Sequence, residues 1–213
     1  MNRKHQTNTE EWFNTVSHGV TALATIFGFL MLVIIGNASE KSFTLFSSIV
    51  YGLSLVSLYT FSTLYHGSRN EKAKKIFQIL DHCGIYILIA GSYTPVLLVA
   101  IGGTTGWLIF GVQWAFALIG IMIKIFYTGR FDLFSTLMYA VMGWFIVIRW
   151  QELVDSIPGS ALTLLVAGGI SYTIGIVFYL IGTRIKFSHF IWHLFVMAGS
   201  LLHYIMIVKY VIV

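Results

Sequence analysis

Apolar residues fill seven long stretches of this chain, and short polar stretches separate them. Each apolar stretch approaches the roughly 20 residues that a helix needs to cross the hydrocarbon core of a membrane. None of them alternates apolar and polar positions with period two, which argues against the strands of a β-barrel. The pattern therefore predicts seven transmembrane helices. Their predicted ranges are 17–36, 43–66, 77–101, 107–127, 133–150, 160–182 and 189–211.

The amino-acid composition is typical of an integral membrane protein. Hydrophobic residues make up 57% of the 213 residues, charged residues make up 10%, and the mean hydropathy is +0.84. Soluble domains carry about 25% charged residues, so a soluble globular enzyme is excluded. We therefore expect an all-α integral membrane protein, with one seven-transmembrane-helix domain over residues 1–213 and a short cytoplasmic tail over 1–16. Pro95 should kink the third helix.

The basic residues predict how the bundle is oriented. Loops on the cytoplasmic side of a membrane protein carry an excess of Lys and Arg. Most of the 13 basic residues lie in the amino-terminal tail or near the loops after the second, fourth and sixth segments, which share one side. We therefore expect a plasma-membrane protein with its amino terminus in the cytoplasm and its carboxyl terminus outside. The basic residues expected on the outer side are Lys41, Arg149 and Lys209.

The net charge of +5 does not indicate nucleic-acid binding. The basic residues are scattered through short loops, whereas a nucleic-acid interface gathers them on one face. Membrane lipids are therefore the expected partners, and nucleic acid is not.

Histidines provide the candidate chemistry. His189 and His193 are four residues apart at the start of the seventh segment. In a helix this spacing places both imidazoles on one face, about 5–6 Å apart, where they can hold one metal ion. Ionisable side chains are costly inside a membrane, so a cluster of them indicates function. The alternative is a chance pair of histidines solvated near the membrane interface.

The predicted topology brings more polar residues to the same membrane depth. Ser62 and His66 end the second segment, and Asp81 lies near the start of the third, on the side where the seventh segment begins. Three imidazoles together with a carboxylate or water are the ligand set of a catalytic zinc site. We therefore predict that His66, His189 and His193 bind the metal.

Asp81 and Ser62 are the candidate catalytic residues. Asp81 could bind the metal directly, or hold a metal-bound water and act as a general base. Ser62 lies one turn before His66 and could donate a hydrogen bond to that water or to a developing oxyanion. The alternative for Asp81 is an ion pair with Lys74 or Lys75.

Three further histidines and the single cysteine have simpler interpretations. His18 should be structural. His82 should point about 100° away from the neighbouring carboxylate and pack between helices or support the site. His203 lies about 15 Å further along the seventh helix. Cys83 has no partner for an intrachain disulfide and should be a small buried side chain.

Several short motifs accompany these residues. They are Glu11-x-x-Asn14-x-x-Ser17-His18, Ser62-Thr-Leu-Tyr-His66, Leu80-Asp-His-Cys-Gly-Ile-Tyr, Gly91-Ser-Tyr-Thr-Pro95 and Ser188-His-Phe-Ile-Trp-His193. Together they resemble the hemolysin III family of bacterial membrane proteins, over nearly the whole chain. That family is related to the progestin and adipoQ receptors and, more distantly, to alkaline ceramidases.

The resemblance implies a fold and a ligand set. The fold is a seven-helix bundle with a cytoplasmic amino terminus and a zinc site near the cytoplasmic face. By motif position, the zinc ligands fall on His66, His189 and His193. The water-holding aspartate falls on Asp81, and the motif serine falls on Ser62.

The resemblance also implies alternative functions. The relationship to ceramidases favours a zinc-dependent hydrolase that acts on a lipid amide. The alternative is a non-enzymatic regulator of membrane state or energetics, in which zinc clamps the second, third and seventh helices. A pore-forming hemolysin is less favoured, because the sequence shows no soluble part to hide seven apolar segments and no continuous polar stripe to line a channel.

Overall fold

The structure is a computed structural model that describes residues 6–213. Within that range no strand is present, and seven helical spans are long and apolar enough to cross a membrane. The prediction of an all-α seven-helix bundle is therefore confirmed. Arg3 and Lys4, which contributed to the predicted orientation, lie outside the described residues. The helices are α1 (Asn8–Ala38), α2 (Thr44–Gly67), α3 (Glu71–Pro95), α4 (Gly103–Tyr127), α5 (Asp132–Trp144), α6 (Trp150–Ser156), α7 (Gly159–Ile181) and α8 (Ser188–Met206).

Three of the spans change helix type along their length. α3 continues after Pro95 as π-helical turns over Val96–Ile101, and α8 continues in the same way over Ile207–Ile212. α5 and α6 form a single span, joined by 3-10 turns over Phe145–Arg149. Proline has no N–H to donate to the preceding turn, so the change in α3 falls where the sequence predicts a kink.

α1 begins well before the apolar segment predicted from residue 17. Its first turn is polar, so hydropathy does not detect it. Thr7 and Glu10 nevertheless form a capping box, in which each side chain accepts a hydrogen bond from the other residue's backbone N–H. Residues 8–16 are therefore helical, and they bring the carboxylates of Glu10 and Glu11 to the bundle.

The bundle has an apolar exterior and polar groups inside. Large apolar side chains such as Leu23, Phe27 and Ile34 of α1 are exposed, as expected for a surface that contacts lipid. Polar side chains are instead buried between helices, including His18 and Asp81. This distribution is the reverse of that in a soluble protein, because here the surrounding solvent is hydrocarbon.

α2 directs a row of hydroxyl groups toward the interior of the bundle. The row is packed mainly against α1 and α3, so it is part of the interior of the bundle. Small and hydroxyl side chains at such contacts allow helices to approach closely and to hydrogen-bond across the interface. Its members are Ser47, Ser48, Tyr51, Ser54, Tyr59 and Ser62.

Successive spans run antiparallel, so the connections alternate between the two ends of the bundle. We call the end that contains the start of α1 and the α2–α3, α4–α5 and α7–α8 connections the histidine end. The last turn of α2 and the first turns of α8 lie at this end. The chain order alone therefore brings His66 and His189 to one end of the molecule.

Candidate metal centre

The three predicted ligands meet at the histidine end. His66 lies in the last turn of α2, and His189 and His193 lie in the first two turns of α8. Each offers a potential ligand atom within 4.8 Å of the other two, and the Nε2 atoms of His66 and His189 are 3.2 Å apart. Two nitrogens bound tetrahedrally to zinc at about 2.0–2.1 Å lie about 3.3 Å apart. The spacing of these two atoms therefore fits a shared zinc ion.

The Nδ1 atoms of His66 and His193 have polar partners, so their Nε2 atoms are the ones that remain to bind a metal ion. His66 Nδ1 is 2.6 Å from Glu11 Oε2, and His193 Nδ1 is 3.4 Å from Ser17 Oγ. His193 Nε2 is buried and has no hydrogen-bond partner among residues 6–213. An unsatisfied buried polar atom costs about 1–3 kcal/mol, and a cation bound there would remove that cost. Three imidazole donors also suit zinc chemically.

Asp81 and Ser62 lie beside the three imidazoles. Asp81 is only 3% exposed, and it lies near His66 and Ser62. Ser62 Oγ is buried and has no hydrogen-bond partner among residues 6–213. Asp81 does not belong to the group of described residues whose ligand atoms lie within 4.8 Å of one another. This arrangement favours a role in proton transfer or water binding over direct ligation.

The alternative ion pair between Asp81 and Lys74 does not form. Lys74 Nζ instead donates to Glu11 Oε1 at 2.6 Å, across the gap between α3 and α1. Glu11 lies in the first turn of α1, outside the predicted apolar segment. The partner of Lys74 therefore depended on a helical turn that the hydropathy pattern does not reveal.

His18 packs directly on the cluster. Its ring stacks on His193, with centroids 3.6 Å apart and planes 11° apart, and it contacts the edge of Tyr59 at 4.9 Å. A ring stacked in this way presents its face to His193. The prediction that His18 has a structural role agrees with this packing.

The other predicted packing residues lie away from the three ligands. The His82 backbone carbonyl accepts a hydrogen bond from the Tyr139 hydroxyl at 3.2 Å. His203 Nε2 lies 3.0 Å from the Leu165 carbonyl of α7, and so joins α7 to α8. Cys83 is buried, as the sequence predicts.

Sequence reasoning gave no role to Glu11 and Ser17, although both lie in the first quoted motif. Glu11 contacts the Nδ1 atom of His66, and Ser17 contacts that of His193. Polar residues Glu11, Asn14 and His18 recur at spacings of three and four, which places them on one face of a helix. This periodicity is the signal that could have identified α1 as part of the site.

A mostly apolar cavity of about 110 Å³ adjoins the cluster. His18 and Asp81 provide polar groups on its wall, whereas Leu58, Ile85 and Val196 are among the apolar residues that line it. The cavity extends to Gly143 of α5, where an added Cβ would meet no atom within 4 Å. A pocket that is largely apolar with a few polar groups is the usual form of a small-molecule site.

Comparison with known proteins identifies the family. A family model described as haemolysin-III related matches residues 6–204. The chain belongs to this family. The motif resemblance is thus confirmed, and the protein is a multipass membrane protein of the haemolysin III family.

Bacterial and animal relatives match this protein over most of its length. It is 40% identical over 212 residues to Hemolysin-3 of Bacillus cereus, covering 100% of this chain and 96% of that protein. It is 42% identical over 191 residues to the Hemolysin-3 homolog of Bacillus subtilis (strain 168), covering 90% and 89%. The Monocyte to macrophage differentiation factor of Homo sapiens is 28% identical over 208 residues, covering 92% and 82%.

Proposed function

We propose that this haemolysin III family protein binds one zinc ion at His66, His189 and His193 and hydrolyses the amide bond of a membrane lipid. The observation that carries the proposal is the convergence of the three imidazoles beside Asp81, which also lines the apolar cavity. A ligand set, a buried carboxylate and a cavity for an apolar molecule therefore adjoin one another.

The chain's own residues can carry out the proton transfers of amide hydrolysis. Bound zinc supplies the Lewis acidity that polarises a carbonyl and activates water. Asp81 accepts a proton on a carboxylate oxygen as the water oxygen bonds to the amide carbon. Ser62 donates a hydrogen bond to the amide oxygen as negative charge develops there. The carbon–nitrogen bond then breaks, Asp81 returns the proton to the amine nitrogen, and the products are a carboxylic acid and an amine.

The cavity supports a lipid as the substrate. Its lining surface is largely apolar, so it suits an acyl chain, while Asp81 and His18 contribute polar surface beside which an amide would lie. The lining residues come from α5 and α7 as well as α2, α3 and α8, which allows entry from the bilayer between helices. The distant relationship to alkaline ceramidases supports a ceramide-like amide.

The site is proposed to face the cytoplasm at the plasma membrane. The described basic residues are concentrated at the histidine end, and cytoplasmic loops carry such an excess. Labelling of a Ser68→Cys variant, in the α2–α3 connection, tests this orientation. A membrane-impermeant thiol reagent should label the variant in opened membranes and not in intact cells, and labelling in intact cells would contradict it. The basic residues at this end are Arg69, Lys72, Lys74, Lys75, Lys124, Arg130, Arg184 and Lys186.

A regulator with a structural zinc is the second candidate, and the helix packing favours it in one respect. α2 packs chiefly on α1 and α3, whereas α8 packs chiefly on α7. A metal ion held by His66 of α2 and His193 of α8 would therefore join helices that are otherwise weakly connected. In this alternative the cavity beside Asp81 has no assigned purpose.

Zinc content and amide turnover distinguish the two candidates. The test uses detergent-purified full-length protein and a fluorescent ceramide-like amide. We expect about one zinc per chain, with turnover that a chelator abolishes and added zinc restores. Asp81→Asn should keep its zinc and lose turnover by about 10²-fold or more. Zinc without turnover of any lipid amide would favour the structural role, and wild-type protein without metal would overturn both.

A further inference from the structure

The first turn of α1 carries a carboxylate that joins two partners from different helices. Glu11 Oε2 lies 2.6 Å from His66 Nδ1, and Glu11 Oε1 accepts a hydrogen bond from Lys74 Nζ at 2.6 Å. The His66 side chain is 1% exposed, and those of Glu11 and Lys74 are 22% and 32% exposed. The contact with the histidine is therefore buried, whereas the lysine covers the outer side of the carboxylate.

A hydrogen bond to one ring nitrogen of a histidine determines what the other nitrogen can do. When Nδ1–H donates to a carboxylate, the neutral ring has its lone pair on Nε2, and the ring plane is held in one orientation. His66 Nε2 is the atom that faces His189 at 3.2 Å. The Glu11 contact thus selects the tautomer and the direction that a ligand at this position requires.

The ion pair with Lys74 makes this arrangement more rigid. A glutamate side chain has several rotamers, and a single hydrogen bond would leave its second oxygen free to exchange partners. Lys74 lies in the first turns of α3, next to the end of α2, so it anchors the second oxygen on the side away from the ring. Both oxygens of Glu11 are therefore committed.

We propose that Glu11 is a positioning residue of the metal centre, which holds His66 as an Nε2 ligand, and that Lys74 holds the carboxylate in place. The proposal rests on the proposed metal site, and it assigns a function to α1, which contributes none of the three ligands. Removing a hydrogen-bond partner of this kind from a ligand histidine lowers metal affinity by about 10–100-fold.

Glu10 offers a matched control within the same helical turn. Its Oε1 atom accepts a hydrogen bond from the Phe187 backbone N–H at 2.8 Å and makes no contact with a ligand histidine ring. Glu10→Gln and Glu11→Gln each remove one negative charge from the first turn of α1 while keeping the side-chain shape. A difference between them therefore reports on His66 rather than on the charge of the turn.

The experiment measures zinc affinity by chelator competition on the full-length protein, together with the visible absorption of the Co²⁺-substituted site. Glu11→Gln should weaken zinc binding about 10–100-fold and alter the Co²⁺ spectrum, and Glu11→Asp should recover part of the affinity. Lys74→Met should weaken binding less than Glu11→Gln does. Glu10→Gln should stay within about twofold of wild type, since it touches no ligand.

The possible outcomes separate this inference from the proposed function. Equal zinc affinity for Glu11→Gln and wild type would overturn the positioning role alone. Equal losses for Glu10→Gln and Glu11→Gln, with an unchanged Co²⁺ spectrum at saturation, would also overturn it. Zinc binding that depends on Glu11 without any amide turnover would overturn the hydrolase and leave the inference standing. Absence of metal from wild-type protein would overturn both.

Discussion

Two clusters of polar side chains are buried in this bundle, and they differ in how their hydrogen bonds are satisfied. In the tyrosine cluster, Tyr59 of α2 donates to Ser200 Oγ of α8 at 2.7 Å, and the Tyr172 hydroxyl of α7 lies 2.8 Å from the same oxygen. In the histidine cluster, by contrast, His66 Nε2 lies 3.2 Å from His189 Nε2, and His193 Nε2 has no hydrogen-bond partner among residues 6–213.

The difference between the two clusters follows from the donors and acceptors that their side chains offer. A serine hydroxyl can both donate and accept, so one serine and two tyrosines can satisfy each other within the membrane. A neutral imidazole has one donor and one acceptor, and His66 directs its Nδ1 to Glu11. Its Nε2 then offers only a lone pair, as a metal ligand does. The tyrosine cluster is complete as a helix contact, whereas the histidine cluster presents ring nitrogens of the kind that bind a metal ion.

The largest effect, on zinc content, is expected from removing two of the three proposed ligands of the histidine cluster. His189→Ala/His193→Ala should reduce zinc from about one per chain to near zero by elemental analysis, since one imidazole alone cannot hold the ion. His203→Gln changes another α8 histidine, whose ring bonds to a backbone carbonyl, and should keep its zinc. Equal zinc content in the two variants would contradict the assignment of the ligands.

Loss of a serine hydroxyl from α2 should matter more beside the histidine cluster than elsewhere on that helix. Ser62→Ala should lower kcat for amide hydrolysis by about 10²–10³-fold with zinc content unchanged, because it removes a donor to the developing oxyanion. Ser54 lies on the same helix and donates to the Tyr51 carbonyl at 2.6 Å, so Ser54→Ala serves as the control. Similar kcat values for the two variants would remove Ser62 from the mechanism.

A larger side chain at the wall of the cavity tests whether the cavity beside the histidine cluster binds an apolar ligand. Gly143 lines the cavity and has open space at its Cβ, so Gly143→Leu adds bulk at the cavity wall and should raise KM for a long-chain amide about 10-fold. A short-chain amide should be less affected. Gly111 of α4 also has open space at its Cβ but does not line the cavity, and Gly111→Leu should leave KM unchanged. An equal rise in both variants would argue against acyl-chain binding there.

The smallest effect is expected from a substitution in the tyrosine cluster. Tyr59→Phe removes one hydrogen bond between α2 and α8 and should lower the free energy of unfolding by about 0.5–1.5 kcal/mol. Zinc content should stay at the wild-type level. Denaturation in mixed detergent micelles measures the first quantity, and elemental analysis measures the second. Loss of zinc in this variant would show that the two clusters are not independent.

Much of the fold could be predicted from local sequence. The seven spans follow from apolar length, and their alternation brings His66 and His189 to one end. Helix boundaries were less accurate where a polar turn extends a helix, as in α1, because the capping box of Thr7 and Glu10 contributes no hydropathy signal. The prediction of the histidine pair rests on a spacing of four, which any helix converts into a shared face.

The partners of the site residues could not be predicted in the same way. The alternative for Asp81 was an ion pair with Lys74 or Lys75 of the same helix, but Lys74 Nζ bonds to Glu11. That contact joins residues on different helices, and the choice among several nearby carboxylates depends on how α1 and α3 approach each other. The stacking of His18 on His193 likewise depends on the packing of α1 against α8.

The sequence by itself determined that this protein has seven helices long and apolar enough to cross a membrane, and that His66, His189 and His193 lie at one end of them. The physical reason is that hydrocarbon requires every span to satisfy its own backbone, so apolar length and chain order decide the topology. Only the tertiary structure decided that Glu11 contacts His66, that His18 stacks on His193, and that a cavity reaches Asp81. Those features arise from distances between side chains of separate helices, which the order of residues along one helix does not specify.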